Sequence, residues 1–173
     1  NTTDLGAVPG PDGSPGTARR MRFLAPSNSW LGVSYSVPAS GTYVFSVWVR
    51  LNAGSTPTNK YGYFNGAGLS IQMNEFPTST WQRVYGTVTF AGASSSYISM
   101  PFYDSPNGVE IDYAWAQLEA ATYPTSYIPT SGSSATRAGE YPTISASEVV
   151  TTIWPANNTP VTVFVETQWP QRY

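Results

Sequence analysis

A chain of 173 residues with 40% hydrophobic, 14% aromatic and only 10% charged residues has the balance of a folded domain, opposite to that of a disordered one. A net charge of −2 without any basic cluster argues against a nucleic-acid partner, whose affinity comes largely from Lys and Arg. The lack of His removes the commonest general base, the lack of Cys leaves stability to the core alone, and no apolar run approaches a membrane span.

In chain order, residues 1–17 are a Pro/Gly-rich lead-in without strand pattern. Residues 18–24 alternate, with Met21 and Phe23 on one side, and predict the first strand. The adjacent Arg19 and Arg20 read as a solvated edge feature. Residues 30–37 predict a second strand, closed by Pro38 and the Ser40-Gly41 turn. From Thr42 to Leu51, period two places Tyr43, Phe45, Val47, Val49 and Leu51 inward, and Val44, Ser46, Trp48 and Arg50 on the other face.

Residues 52–68 read as a long connection carrying Tyr61, Tyr63 and Phe64; loops of that length are usually functional or mobile. Strands follow over 68–74 and from Trp81, where Val84, Gly86, Val88 and Phe90 alternate with Arg83, Tyr85, Thr87 and Thr89. Over 97–103, Ile98, Met100 and Phe102 point inward, and Tyr97 and Tyr103 outward. Asp104-Ser-Pro-Asn-Gly then turns the chain into a strand over 109–118. About eight short alternating strands and no helical periodicity predict an all-β, jelly-roll β-sandwich spanning residues 18–130. Residues 131–173 form a linker and a partial second unit or assembly extension, with one or two further strands over 141–150 and 160–169.

Between these parts lies the most distinctive stretch, Gln117-Leu-Glu followed by Tyr123-Pro-Thr-Ser-Tyr-Ile-Pro-Thr and Thr136-Arg-Ala. Pro124 and Pro129 cannot donate to a ladder, so the chain leaves the sheet as an extended strap, pinned by Tyr123, Tyr127 and Ile128. With Pro15-Gly-Thr-Ala-Arg-Arg, Gly41-Thr-Tyr-Val-Phe-Ser-Val-Trp-Val-Arg and Trp81-Gln-Arg-Val, this stretch resembles the carbohydrate-binding-module-like β-sandwich domains of bacteriophage virion proteins: tail fibres, tailspikes and capsid decorations. The resemblance runs from roughly Asp12 to Ala138. It implies a virion structural protein outside the cell and a bacterial surface glycan as ligand. The strands over 141–150 and 160–169 have no partner set of their own, which predicts contact with other copies in a homo-oligomer or with other virion proteins. The missing histidine argues against an enzyme, and the lack of a long apolar run against membrane insertion. The other setting compatible with such a fold is an accessory carbohydrate-binding module of a secreted polysaccharide-degrading enzyme.

Sugar rings have apolar C–H faces that stack on aromatic rings, while polar neighbours bond their hydroxyls. Trp48, Tyr85, Tyr97 and Tyr103 on outward strand faces, with Tyr61 and Tyr63 from the long loop, are therefore the candidate ligand-binding residues. Glu110 and Asp112 share one strand face. They are open to three readings: solvated carboxylates, an acid–base pair, or Ca2+ ligation. Domains of the resembling kind carry a structural Ca2+ held partly by an Asp near the last strand, a position that Asp112 matches, although the N-terminal ligands are not matched.

Overall fold

The alternating pattern of the central strands is realised in the structure, a computed structural model that describes residues 2–24, 32–103 and 105–130. The chain divides into two units, Asn1–Ala135 and Thr136–Tyr173, and all described residues belong to the first. Its strands are β1 (Thr2–Val8), β2 (Ala18–Phe23), β3 (Gly32–Val37), β4 (Gly41–Ala53), β5 (Tyr61–Phe64), β6 (Leu69–Gln72), β7 (Gln82–Phe90), β8 (Ser94–Ser99) and β9 (Glu110–Glu119). A five-stranded sheet runs β1-β2-β9-β4-β7 and a four-stranded sheet β3-β8-β5-β6, and all pairings are antiparallel. From β2 onward the chain crosses between the sheets at each step, except at the β5–β6 hairpin. Set against β3-β8-β5-β6, the order β2-β9-β4-β7 is the predicted jelly roll.

The core lies between the sheets. β4 supplies Tyr43, Phe45, Val47 and Val49, and β7 supplies Val84, Val88 and Phe90, all buried as period two requires. Phe64 is its centre, meeting Tyr35, Phe45 and Phe90 edge-on at 5.0, 6.3 and 5.2 Å between ring centroids, the geometry that ring quadrupoles favour. Gly86 breaks the row of large inward residues for a steric reason. A Cβ there would stand 2.3 Å from the Gln72 carbonyl oxygen, so only glycine lets the sheets approach at this point.

Several expectations are corrected. The lead-in contains a strand, β1, which pairs with β2 through its backbone and carries a register shift between Asp4 and Gly6, where Gly6 has φ 99°. An edge strand held by main-chain bonds needs no apolar alternation, so its residues gave no signal. β2 is consequently not an edge. Arg19 is exposed and pairs with Asp4, but Arg20 turns onto β9. The long connection over 52–68 contains β5, hidden because its four residues alternate tyrosine with Gly62 and Phe64. Tyr103 follows β8 in a turn rather than lying on its outward face. Glu110 and Asp112 are buried, not solvated. Trp30 and the strands predicted over 141–150 and 160–169 lie outside the described residues.

Candidate functional site

The six candidate aromatic residues do not converge. Trp48 and Tyr85 lie on the outer face of the five-stranded sheet, where Ser46 on β4 stands opposite Tyr85 on β7. Tyr61, Tyr63 and Tyr97 lie on the outer face of the four-stranded sheet. Tyr103, half-buried in its turn, joins neither set. Two opposite faces must therefore be weighed separately.

The outer face of the five-stranded sheet is built around ionic groups and a strap. Both oxygens of Asp112, which is 0% exposed, are held by guanidinium groups. Arg20 donates Nε to Oδ1 at 2.7 Å and Nη2 to Oδ2 at 3.0 Å, while Arg50 donates Nε and Nη2 to Oδ2 at 3.1 and 2.7 Å. Asp112 in turn holds Arg20 more firmly protonated than usual, chiefly through that hydrogen bond. One step along, Arg22 and Asn52 both donate to Glu110, and the Arg22 bond holds this carboxyl below its ordinary range against the opposing effect of burial. These residues do not fit a Ca2+ site. A hard cation needs several oxygen ligands, whereas both carboxylates here are already paired with arginine. The same pairing removes the acid–base reading, and no cluster of three potential metal ligands occurs among the described residues.

Beside the ionic row, β9 bulges. Ser46 pairs with Gln117 but Trp48 pairs with Ala114, leaving Trp115 and Ala116 against the single residue Val47, with Trp115 at φ 51°. This extra residue places Trp115 edge-on to Trp48, with ring centroids 6.1 Å apart, and stacks it on Tyr127 of the strap at 5.3 Å and 13°. The strap is fixed by polar contacts as well. The Ile128 N–H donates to Gln117 Oε1 at 2.8 Å, the Thr125 N–H donates to Glu119 Oε2 at 3.1 Å, and Arg83 donates to the Thr125 carbonyl. Burial pushes the Arg83 guanidinium below its ordinary pKa, opposed by Glu119 at 3.9 Å. Of the three expected pins, Tyr127 and Ile128 are half-buried, whereas Tyr123 is 71% exposed and meets the Tyr85 ring at a tilt of 54°, with centroids 6.4 Å apart.

The opposite face is simpler. On β5, Tyr61 and Tyr63 project to the same side, and Tyr63 stands opposite Ser99 of β8. Two residues back along β8, Tyr97 stands opposite Ser34 of β3. Tyr61 is 43% exposed and Tyr97 39%. Their neighbours on this face are short or polar: Ser34, Ser36, Ser70, Gln72 and Ser95, all exposed. Asn65 ties the strands together, donating to the Tyr97 carbonyl at 3.1 Å and to Ser99 Oγ at 3.0 Å. The result is a row of tyrosines standing above serine.

A separate cleft of about 290 Å³ is lined by Val33, Val47, Met100, Tyr113 and Trp115 among others. Its apolar walls offer few groups for a hydroxylated ligand, because the Tyr113 hydroxyl is spent on the Pro101 carbonyl at 2.7 Å.

Sequence reasoning did not bring Arg20, Trp115 and Tyr127 together with Trp48 and Arg50, nor Trp81, whose ring lies 4.8 Å from the Arg50 guanidinium carbon. The Trp48-x-Arg50 spacing was the available signal, since it sets both side chains on one face. The position of Trp115 depends on a bulge that alternation does not reveal.

No protein-family model matches the sequence, and no curated protein sequence matches it significantly. Among solved structures, the chain is similar to a carbohydrate-binding module from Cellvibrio mixtus lichenase 5A, determined with cellotriose (15% identity, TM-score 0.49, covering 69% of this chain and 87% of that one). It is also similar to a xylan-binding domain from Paenibacillus barcinonensis (18% identity, TM-score 0.43, covering 72% and 81%).

Proposed function

We propose that this sandwich is a non-catalytic glycan-binding domain whose contact surface is the tyrosine row of the four-stranded sheet. The observation that carries the reading is the partial exposure of Tyr61 and Tyr97 among short Ser side chains, which sets aromatic groups beside hydroxyl and amide groups on one face. Such a surface is extended rather than pocket-like, and suits a polysaccharide chain laid across it. Its setting is a bacteriophage virion, as a fibre, spike or capsid decoration facing a bacterial surface glycan. The resemblance of the Gln117-to-Thr130 strap supports that setting. In it the domain works as a homo-oligomer attached to other virion proteins, outside the cell.

A glycan array with the full chain tests the reading. Replacing Tyr61 and Tyr97 together by Ala is expected to cost about 2 kcal/mol or more in affinity for the best ligand, the size of losing aromatic hot spots, with little change in melting temperature. Undiminished binding by this folded variant would show that the tyrosine row is not the contact surface. Electron microscopy of virions labelled with an antibody to the domain tests the setting, and labelling only of a secreted enzyme would favour the accessory-module alternative.

A further inference from the structure

On the opposite face, we infer a second carbohydrate site, selective for sugars that carry a carboxylate, centred on Arg50 and flanked by Trp48 and Trp81. Three features of this face converge.

The first is charge. Arg20 and Arg50 share the single buried carboxylate of Asp112, while Arg22 is matched by Glu110, so the cluster holds one positive charge more than its own acids neutralise. That excess occurs in a chain whose net charge is −2. Each of the two arginines donates to Asp112 only through Nε and Nη2, which directs the remaining Nη1 away from that carboxylate. Their side chains are 24% and 28% exposed, so an anion can reach them from solvent.

The second is preorganisation. Asp112 grips Arg20 in forked geometry and takes both Arg50 donors on Oδ2, and the Arg50 guanidinium carbon lies 4.8 Å from the centre of the Trp81 ring. A guanidinium already immobilised loses little further freedom on binding a carboxylate, and its planar donors match that anion.

The third is the aromatic neighbour. Trp48 lies two residues before Arg50 on the same face of β4, one strand repeat of about 7 Å away. It is half-buried and held edge-on by Trp115. A pyranose resting against Trp48 thus presents an exocyclic carboxylate at the level of Arg50. Uronic acids and sialic acids share this chemistry, a sugar ring bearing a carboxylate.

The test needs no mutation at first. Isothermal titration of the full chain would use oligogalacturonate and sialyllactose, each compared with its methyl ester, which keeps the ring and removes the charge. Binding of at least one acid, with its ester about tenfold weaker or worse, is the expected result, in line with losing hydrogen bonds to a charged group. Which acid binds distinguishes the two sources. Trp81→Ala should weaken the acid several-fold. If neither acid binds, or if acid and ester bind alike, the inference is wrong. Repeating the titrations with Tyr61 and Tyr97 both replaced by Ala removes the tyrosine row, so a failure of this inference and a failure of the four-stranded-face reading are read separately.

Discussion

Replacing Asp112 by Asn is the sharpest probe of how the five-stranded sheet is held together. The substitution keeps the shape of the side chain and removes its charge. In the native protein, four hydrogen bonds from Arg20 and Arg50 end on this carboxylate, which has no solvent exposure. The amide must turn its NH2 group towards one of these donors, and two guanidiniums are left facing each other without an anion between them. Removing one partner of a buried ion pair costs about 3 to 5 kcal/mol. Both arginines can recover some hydration, being 24% and 28% exposed, so the lower end applies, about 3 kcal/mol. For a domain of this size that corresponds to a fall in melting temperature of about 10 °C. Near-ultraviolet circular dichroism during thermal unfolding, with urea unfolding at fixed temperature, measures both quantities. A companion variant with Met at positions 20, 50 and 112 should regain most of the loss, because well-packed apolar replacements of buried charge sets are close to neutral. A melting temperature for Asp112→Asn within about 3 °C of the native value would refute the reasoning.

Three further outcomes follow from the same structure. Gly86→Ala should destabilise by about 3 kcal/mol, since its Cβ would overlap the Gln72 carbonyl and the sheets must part; a urea midpoint equal to the native one would contradict this. Glu110, whose folded pKa lies below its ordinary 4.5, contributes stability that is present above that value and lost as pH falls through the lower folded pKa. The difference in urea midpoint between the native chain and Glu110→Gln should accordingly shrink on acidification below pH 4.5, and a difference independent of pH would sink the argument. Tyr127→Ala removes the ring stacked on Trp115 and should cost about 1 kcal/mol while speeding amide exchange at Ile128; unchanged exchange there would mean that Gln117 alone holds the strap.

The sandwich was legible because its strands follow period two: Tyr43, Phe45, Val47 and Val49 on β4 and Val84, Val88 and Phe90 on β7 are buried as the alternation requires, although Val44 and Ser46 on the other face of β4 are buried as well. What escaped depends on backbone events. β1 pairs through main-chain groups and has no apolar rhythm, and β5 is four residues long inside a run of Gly and Asn. The burial of Glu110 and Asp112 escaped because a charged residue on an outward face reads as solvated unless its partners, on β2 and β4, are known to lie beside it. Of the candidate aromatics, outwardness was predictable for Tyr97 and Trp48, but sharing a face was not, because it depends on which sheet each strand joins. The proline-bounded strap was readable, since Pro124 and Pro129 forbid a ladder, but its docking partner Trp115 was set by a bulge.

The course of the strap has a mechanical consequence. β9 lies in the interior of its sheet, between β2 and β4, and after Glu119 the chain doubles back over the outer face to stack Tyr127 on Trp115. Tension entering from beyond residue 130 would reach Ile128 and Tyr127 first and peel them off in sequence, each contact yielding at a small load. Only once Thr125 had released Glu119 and Arg83 would the pull be transmitted to the ladders of β9. The strap therefore behaves as a sacrificial tether, adding extensible length while the sandwich keeps its shape.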